Sequence, residues 1–131
     1  MTLTKLFMIA AGGALGASLR YLTSIAAQPI HQRFPFLSGT VFANSIGCLA
    51  AGSLTAWISI SSPFGDDMTA LLTVGLLGSY TTFSTFSLEV FQRLDGPTRD
   101  LASYLFMQLV VAIGFVFVGY SFTVHWMGGA A

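Results

Sequence analysis

Seven of the nine residues from Ser79 to Ser87 carry a hydroxyl group, and the two that do not are Phe83 and Phe86. Such a run combines O–H donors with two rings three positions apart, which can face one side of a helix. An aromatic ring has a negative face and a positive edge, so two rings edge-on to a passage suit an anion without supplying an exchangeable charge. For two Phe at helical spacing the ordinary reading is core packing, and the flanking hydroxyls weaken it. Asn44 contributes an amide, with Thr40 four residues before it and Thr55 eleven after, on roughly one helix face. On position alone Asn44 reads equally as a functional group and as interhelical glue. Tyr104 and Gln108 form a further polar pair at i, i+4, while Glu89 has Arg93 as an i+4 ion partner. Cys48, one turn beyond Asn44, has no His or acid in sequence reach and reads as a small packing residue. These groups offer recognition of a small ion by neutral donors. No acid–base pair or metal constellation accompanies them, so an enzyme is not expected.

The elements that must position these groups follow from the charge pattern. The chain has 131 residues, no formal net charge and five Lys/Arg against five Asp/Glu. Charged residues make up 8%, against roughly 25% in an ordinary soluble domain. A soluble protein this small has most of its residues near the surface and cannot stay dispersed on ten charges. The 54% apolar content excludes a disordered chain. The absence of a basic excess excludes a nucleic-acid binder that works by phosphate neutralisation. What remains is a small integral membrane protein.

Charge-free gaps run over residues 6–19, 34–65, 68–88 and 101–131. A span needs about 20 helical residues to cross the hydrocarbon layer. The expected spans are residues 3–27, 36–60, 68–90 and 103–126, a single all-α, four-helix transmembrane domain covering residues 1–131. The first span includes Arg20, whose long side chain can reach a water-filled mouth. Lys5 and the apolar run after it loosely match a cleaved leader, but three further spans and continued glycine spacing favour a retained first helix. Gln28-Pro29, Ser62-Pro63 and Asp95-Gly96-Pro97 mark the connections. The third span carries Gly75 and Gly78 ahead of its β-branched and hydroxyl residues, all poor for a helix, and is expected to break at mid-membrane. Freed carbonyls at such a break can bind a small cation. Gly12-x-x-x-Gly16 in the first helix and Ala43-x-x-x-Gly47-x-x-x-Ala51 in the second read as packing faces. Four helices with this much Gly and Ala make a thin bundle, which favours oligomerisation.

Three motifs in order resemble the Fluc (CrcB) family of fluoride channels, over nearly the whole chain. They are Gly13-x-x-Gly16-Ala17-x-x-Arg20-Tyr21, Gly39-Thr40-x-x-x-Asn44-x-x-Gly47, and Gly75-x-x-Gly78-x-x-Thr81-Thr82-Phe83-Ser84-Thr85-Phe86-Ser87-x-Glu89. The third is long and specific. The resemblance implies an antiparallel, dual-topology homodimer in the bacterial inner membrane, with two narrow pores lined by both subunits. It implies passive fluoride export that limits toxicity. By motif, Asn44 is a pore-lining donor, Phe83 and Phe86 are the rings along the anion path, and Thr40, Ser84 and Thr85 fit a hydroxyl-lined track. Backbone carbonyls of Gly78 and Thr81 map to a structural Na⁺ at the dimer interface, and Arg20 to a vestibule. Tyr104 maps to a pore-side Tyr of the fourth helix. One turn later the family has Ser, where this chain has Gln108.

Fluoride holds its water tightly, so a pore must replace that water with donors. A fixed cation in the path would hold the ion too well for conduction. This chain offers neutral donors and no mid-span cation. Its Lys/Arg balance is uneven for dual topology: Arg20, Arg33, Arg93 and Arg99 fall on one side against Lys5 on the other. The homodimer is favoured, because Arg20 is ambiguous and one or two charges decide the matter. A heterodimer with an oppositely inserted homologue is the alternative that the bias leaves. Of other classes, a small multidrug exporter needs a carboxylate in the first helix, and residues 3–27 contain no Asp or Glu. A non-transporting assembly subunit would tolerate substitution between Gly75 and Ser87.

Overall fold

The computed structural model describes residues 2–128. Among the described residues there are helices and short connections, and no strand. Helix α1 (Leu3–Arg33) starts at Thr2, whose hydroxyl accepts the Lys5 N–H at 3.3 Å. It runs beyond the expected end at Ala27 and takes in Pro29. Proline removes one ladder donor, yet the helix continues until the Phe34 N–H meets the Ile30 carbonyl at 2.8 Å. Gln28-Pro29 is therefore helical, and the chain turns over residues 34–38 instead. Helix α2 (Gly39–Ser61) is capped by Ser38, which accepts from the Val41 N–H. It closes on Ser62 in the left-handed region, φ 42°.

The third expected span is divided. Helix α3 covers residues 66–80, with a π-helical stretch at Leu71–Leu77 between α-helical turns. Thr81 and Thr82 are extended, and helix α4 (Phe83–Arg93) follows. Helix α5 (Thr98–Gly128) contains a second π-helical stretch at Met107–Val111. Helices α1, α2 and α5 are each long and apolar enough to cross a membrane, whereas α3 and α4 are too short to do so singly.

Glycine decides the packing. In lipid there is no hydrophobic drive between helices, so backbone approach through small residues carries much of the association. A Cβ at Gly16 of α1 would strike the Leu76 carbonyl oxygen of α3, and one at Gly75 would lie 2.6 Å from the Ile9 carbonyl oxygen. The α2–α5 seam is built the same way, with Gly52 against the Val116 carbonyl and Gly119 against that of Leu49. Tyr80 adds a polar tie, its hydroxyl 3.0 Å from that of Thr23. Gly78 is different: only the Thr73 carbonyl oxygen comes within 4 Å of its Cβ position, at 3.7 Å. No close backbone approach requires a glycine there.

These contacts predict that Gly16→Ala lowers the thermal midpoint in detergent, because the carbonyl it meets is backbone and cannot swing aside. Overpacking of this kind costs about 1–3 kcal/mol. Gly114→Ala, within α5 and with nothing within 4 Å, is the control and does not lower the midpoint. Equal midpoints for the two variants would contradict the packing described.

Arg93 gathers one end of the bundle. Its Nη2 donates to the Pro35 carbonyl at 2.9 Å, its Nε lies 3.3 Å from Asp100, and its Nη1 lies 3.4 Å from the Glu89 carboxylate. The guanidinium also sits 4.2 Å above the centre of the Tyr104 ring. The connection before α2 and the first turn of α5 are thus held together with the end of α4.

Candidate functional site

Two consecutive threonines end helical bonding, and an asparagine from another helix satisfies what they release. The Thr82 N–H, which in a continuous helix would bond the Gly78 carbonyl, donates instead to Asn44 Oδ1 at 2.9 Å. Asn44 Nδ2 donates to the Thr82 carbonyl at 3.2 Å and to Gln108 Oε1 at 3.0 Å. The Thr85 N–H would bond the Thr81 carbonyl in a continuous helix. It donates to Thr82 Oγ1 at 3.2 Å, which makes Thr82 the N-cap of α4. The carbonyls of Gly78 and Thr81 are therefore both released from the i+4 ladder.

These residues border an open groove of about 540 Å³. Its walls include Asn44, Gln108, Gly78, Thr81, Phe83 and Phe86, and no charged side chain is among its lining residues. The Phe83 and Phe86 rings lie 5.6 Å apart, tilted by 49°. Phe83 is 79% exposed. Phe86 stacks on Tyr104 with centroids 6.0 Å apart and 17° between planes. Such a groove can meet a small ion with the Gln108 amide, ring edges and released carbonyls.

The residues singled out from sequence are distributed unevenly around it. Asn44 and Thr55 share the groove as the helix-face spacing suggests, with Cys48 between them. Thr40 does not: it is 5% exposed, and its hydroxyl donates to Glu89. Tyr104 is wholly buried, accepts a hydrogen bond from Gln108 Nε2 at 3.1 Å and is absent from the groove wall. Ser84 and Thr85 cluster with the Thr82 hydroxyl, at 3.2 and 3.1 Å, and do not border the groove either. Arg20 lies on α1, outside the groove lining. Glu89 does pair with Arg93, but it also receives the Thr40 hydroxyl, a link that i+4 spacing alone does not suggest. The position of Gln108 in a π-helical turn had no sequence signal, although such turns often mark functional sites.

A family model described as CrcB-like protein, Camphor Resistance (CrcB), matches residues 7–120. The chain is 39% identical over 115 residues to a protein of Aquifex aeolicus (strain VF5) named fluoride-specific ion channel FluC, covering 87% of this chain and 92% of that one. It is 38% identical over 117 residues to a protein of the same name from Dehalococcoides mccartyi (strain CBDB1), covering 84% and 88%. A third, again of that name and from Histophilus somni (strain 2336), is 44% identical over 92 residues, or 70% of each chain.

Proposed function

The chain belongs to the CrcB-like family, and from that premise we propose that it is a fluoride-specific ion channel, a multi-pass membrane protein that lets fluoride leave down its own gradient and so limits cytoplasmic toxicity. The observation that carries this reading is the groove at the helix break, where two amide side chains, threonines and two Phe rings lie among apolar residues with no charged side chain. An anion that holds its water tightly needs replacement donors to enter, and weak, neutral ones to leave again.

The working unit is an antiparallel, dual-topology homodimer in the bacterial inner membrane. Its support is the groove's own chemistry. Asn44 of α2 and Gln108 of α5 border an open groove with Gly78 and Thr81, whose carbonyls are released where the third span breaks. Non-helical backbone at that depth is tolerated only where protein or water shields it, and a second copy supplies the shield. Pairing with an oppositely inserted homologue is the variant that the Lys/Arg bias favours.

Within each of two pores, Phe83 and Phe86 present ring edges to the ion, and Asn44 lines the path beside them. Thr40, Ser84, Thr85 and Tyr104 form the polar track that leads from it, with Arg20 at a vestibule. The Gly78 and Thr81 carbonyls fit a Na⁺ ion at the dimer interface: both residues border the groove, and both carbonyls have lost their helical donors. Bound there, the ion would supply positive potential beside the path and hold two subunits together.

Purified protein reconstituted in liposomes tests the function. With a fluoride electrode outside, loaded vesicles release fluoride rapidly and without a proton gradient, while chloride-loaded vesicles release little. Folded protein that passes no fluoride, alone or with a partner homologue, would overturn the proposal.

A further inference from the structure

Asn44 has no hydrogen left to give. The Thr82 backbone N–H can only donate, so the atom it meets must be the Asn44 oxygen, which fixes the amide's orientation. Both hydrogens of Nδ2 are then engaged, one by the Thr82 carbonyl and one by Gln108. That fixes Gln108 in turn: its oxygen faces Asn44, so its nitrogen faces Tyr104. The Tyr104 hydroxyl accepts that bond. The bonds therefore run in one direction, from the helix break through Asn44 and Gln108 to Tyr104.

Gln108 Nε2 carries two hydrogens, and Tyr104 takes one. Gln108 is 8% exposed, and what it exposes borders the groove beside Phe83 and Phe86. We propose that the second Nε2–H of Gln108 is the amide donor that meets fluoride as it sheds water, with Asn44 acting through it as the positioning residue. This rests on the channel reading and refines it. This chain presents there an amide whose orientation is set from Thr82 onward. The π-helical turn at Met107–Val111 places that amide against α2.

Two measurements test the assignment. In wild-type protein in lipid nanodiscs with isotope-labelled side-chain amides, titration with sodium fluoride shifts one of the two Gln108 Nε2 hydrogen signals, and sodium chloride does not. In liposomes, Gln108→Met, which keeps length and loses the donor, slows fluoride efflux by about tenfold or more. Gln108→Ser, which restores a donor, stays closer to the wild-type rate, and both variants elute from a sizing column like the wild type. Unmoved Gln108 signals in a protein that conducts would overturn the assignment and leave the channel intact. Wild-type rates from Gln108→Met, or Gln108→Ser as slow as the Met variant, would overturn it too. A wild type that passes no fluoride would instead remove the channel reading itself. If Gln108→Met fails to fold, the amide titration of the wild type decides.

Discussion

Replacing Phe83 or Phe86 with Ile suppresses fluoride efflux by about tenfold or more while leaving the oligomer intact. Isoleucine fills much of the space of a phenyl ring and is as apolar, so large packing losses are not expected. What it lacks is the quadrupole: no positive edge turns toward an anion. The two positions differ in what else they touch. Phe83 is 79% exposed in the single chain and makes its contact with Phe86 at 5.6 Å, so its replacement disturbs little else within the chain. Phe86 also stacks on Tyr104, and losing that pair adds roughly 0.5–1.5 kcal/mol of destabilisation. Efflux traces normalised to protein recovered from the vesicles, with elution profiles alongside, separate conduction from folding. If both variants conduct like the wild type, the ring edges have no part in the path.

Asn44→Leu removes the partner of both backbone polar groups of Thr82. In the native chain the Asn44 amide takes the Thr82 N–H and returns a hydrogen to the Thr82 carbonyl. An unpaired buried group costs about 1–3 kcal/mol, so two cost about 2–6 kcal/mol, and lipid offers no water as a substitute. Two responses are open to the variant. It can unfold at a lower temperature, or Thr81 and Thr82 can relax toward helix and carry Phe83 and Phe86 out of position. Both abolish efflux. Thermal unfolding in detergent and hydrogen exchange at the Thr82 amide report the two responses directly. An unchanged midpoint, an unchanged exchange rate and normal efflux together would show that Asn44 is not the clamp of the break.

Much of this architecture is written in composition. Ten charges separated by long apolar gaps require membrane helices, because burial of that much apolar surface in a chain this small leaves too little polar surface for water. The hydroxyl-rich run after Gly78 locates the weak point of the third span, since Thr and Ser compete with the helix for their own backbone groups. Thr82 does so, accepting the Thr85 N–H. Other features depend on partners distant in sequence. Pro29 was expected to end α1, but the helix takes it in and continues to Arg33, where the Phe34 N–H still finds the Ile30 carbonyl. Thr40 and Asn44 share a helix face by spacing, yet Thr40 meets Glu89, 49 residues away, while Asn44 meets Thr82 and Gln108. Tyr104 is buried against the Arg93 guanidinium and the Phe86 ring, both supplied by a different helix. The two π-helical stretches have no local signature, because an extra residue in a turn is stabilised by what packs on it.

The central claim is that a passage with no charge of its own selects fluoride through neutral donors and ring edges. The reversal potential tests it most directly, measured across a planar bilayer holding the wild-type protein, with sodium fluoride at different concentrations on the two sides and chloride added to one of them. The account predicts that current reverses at the equilibrium potential of fluoride, and that neither the chloride addition nor a pH difference moves it. Reversal that follows chloride, sodium or the proton gradient would contradict it.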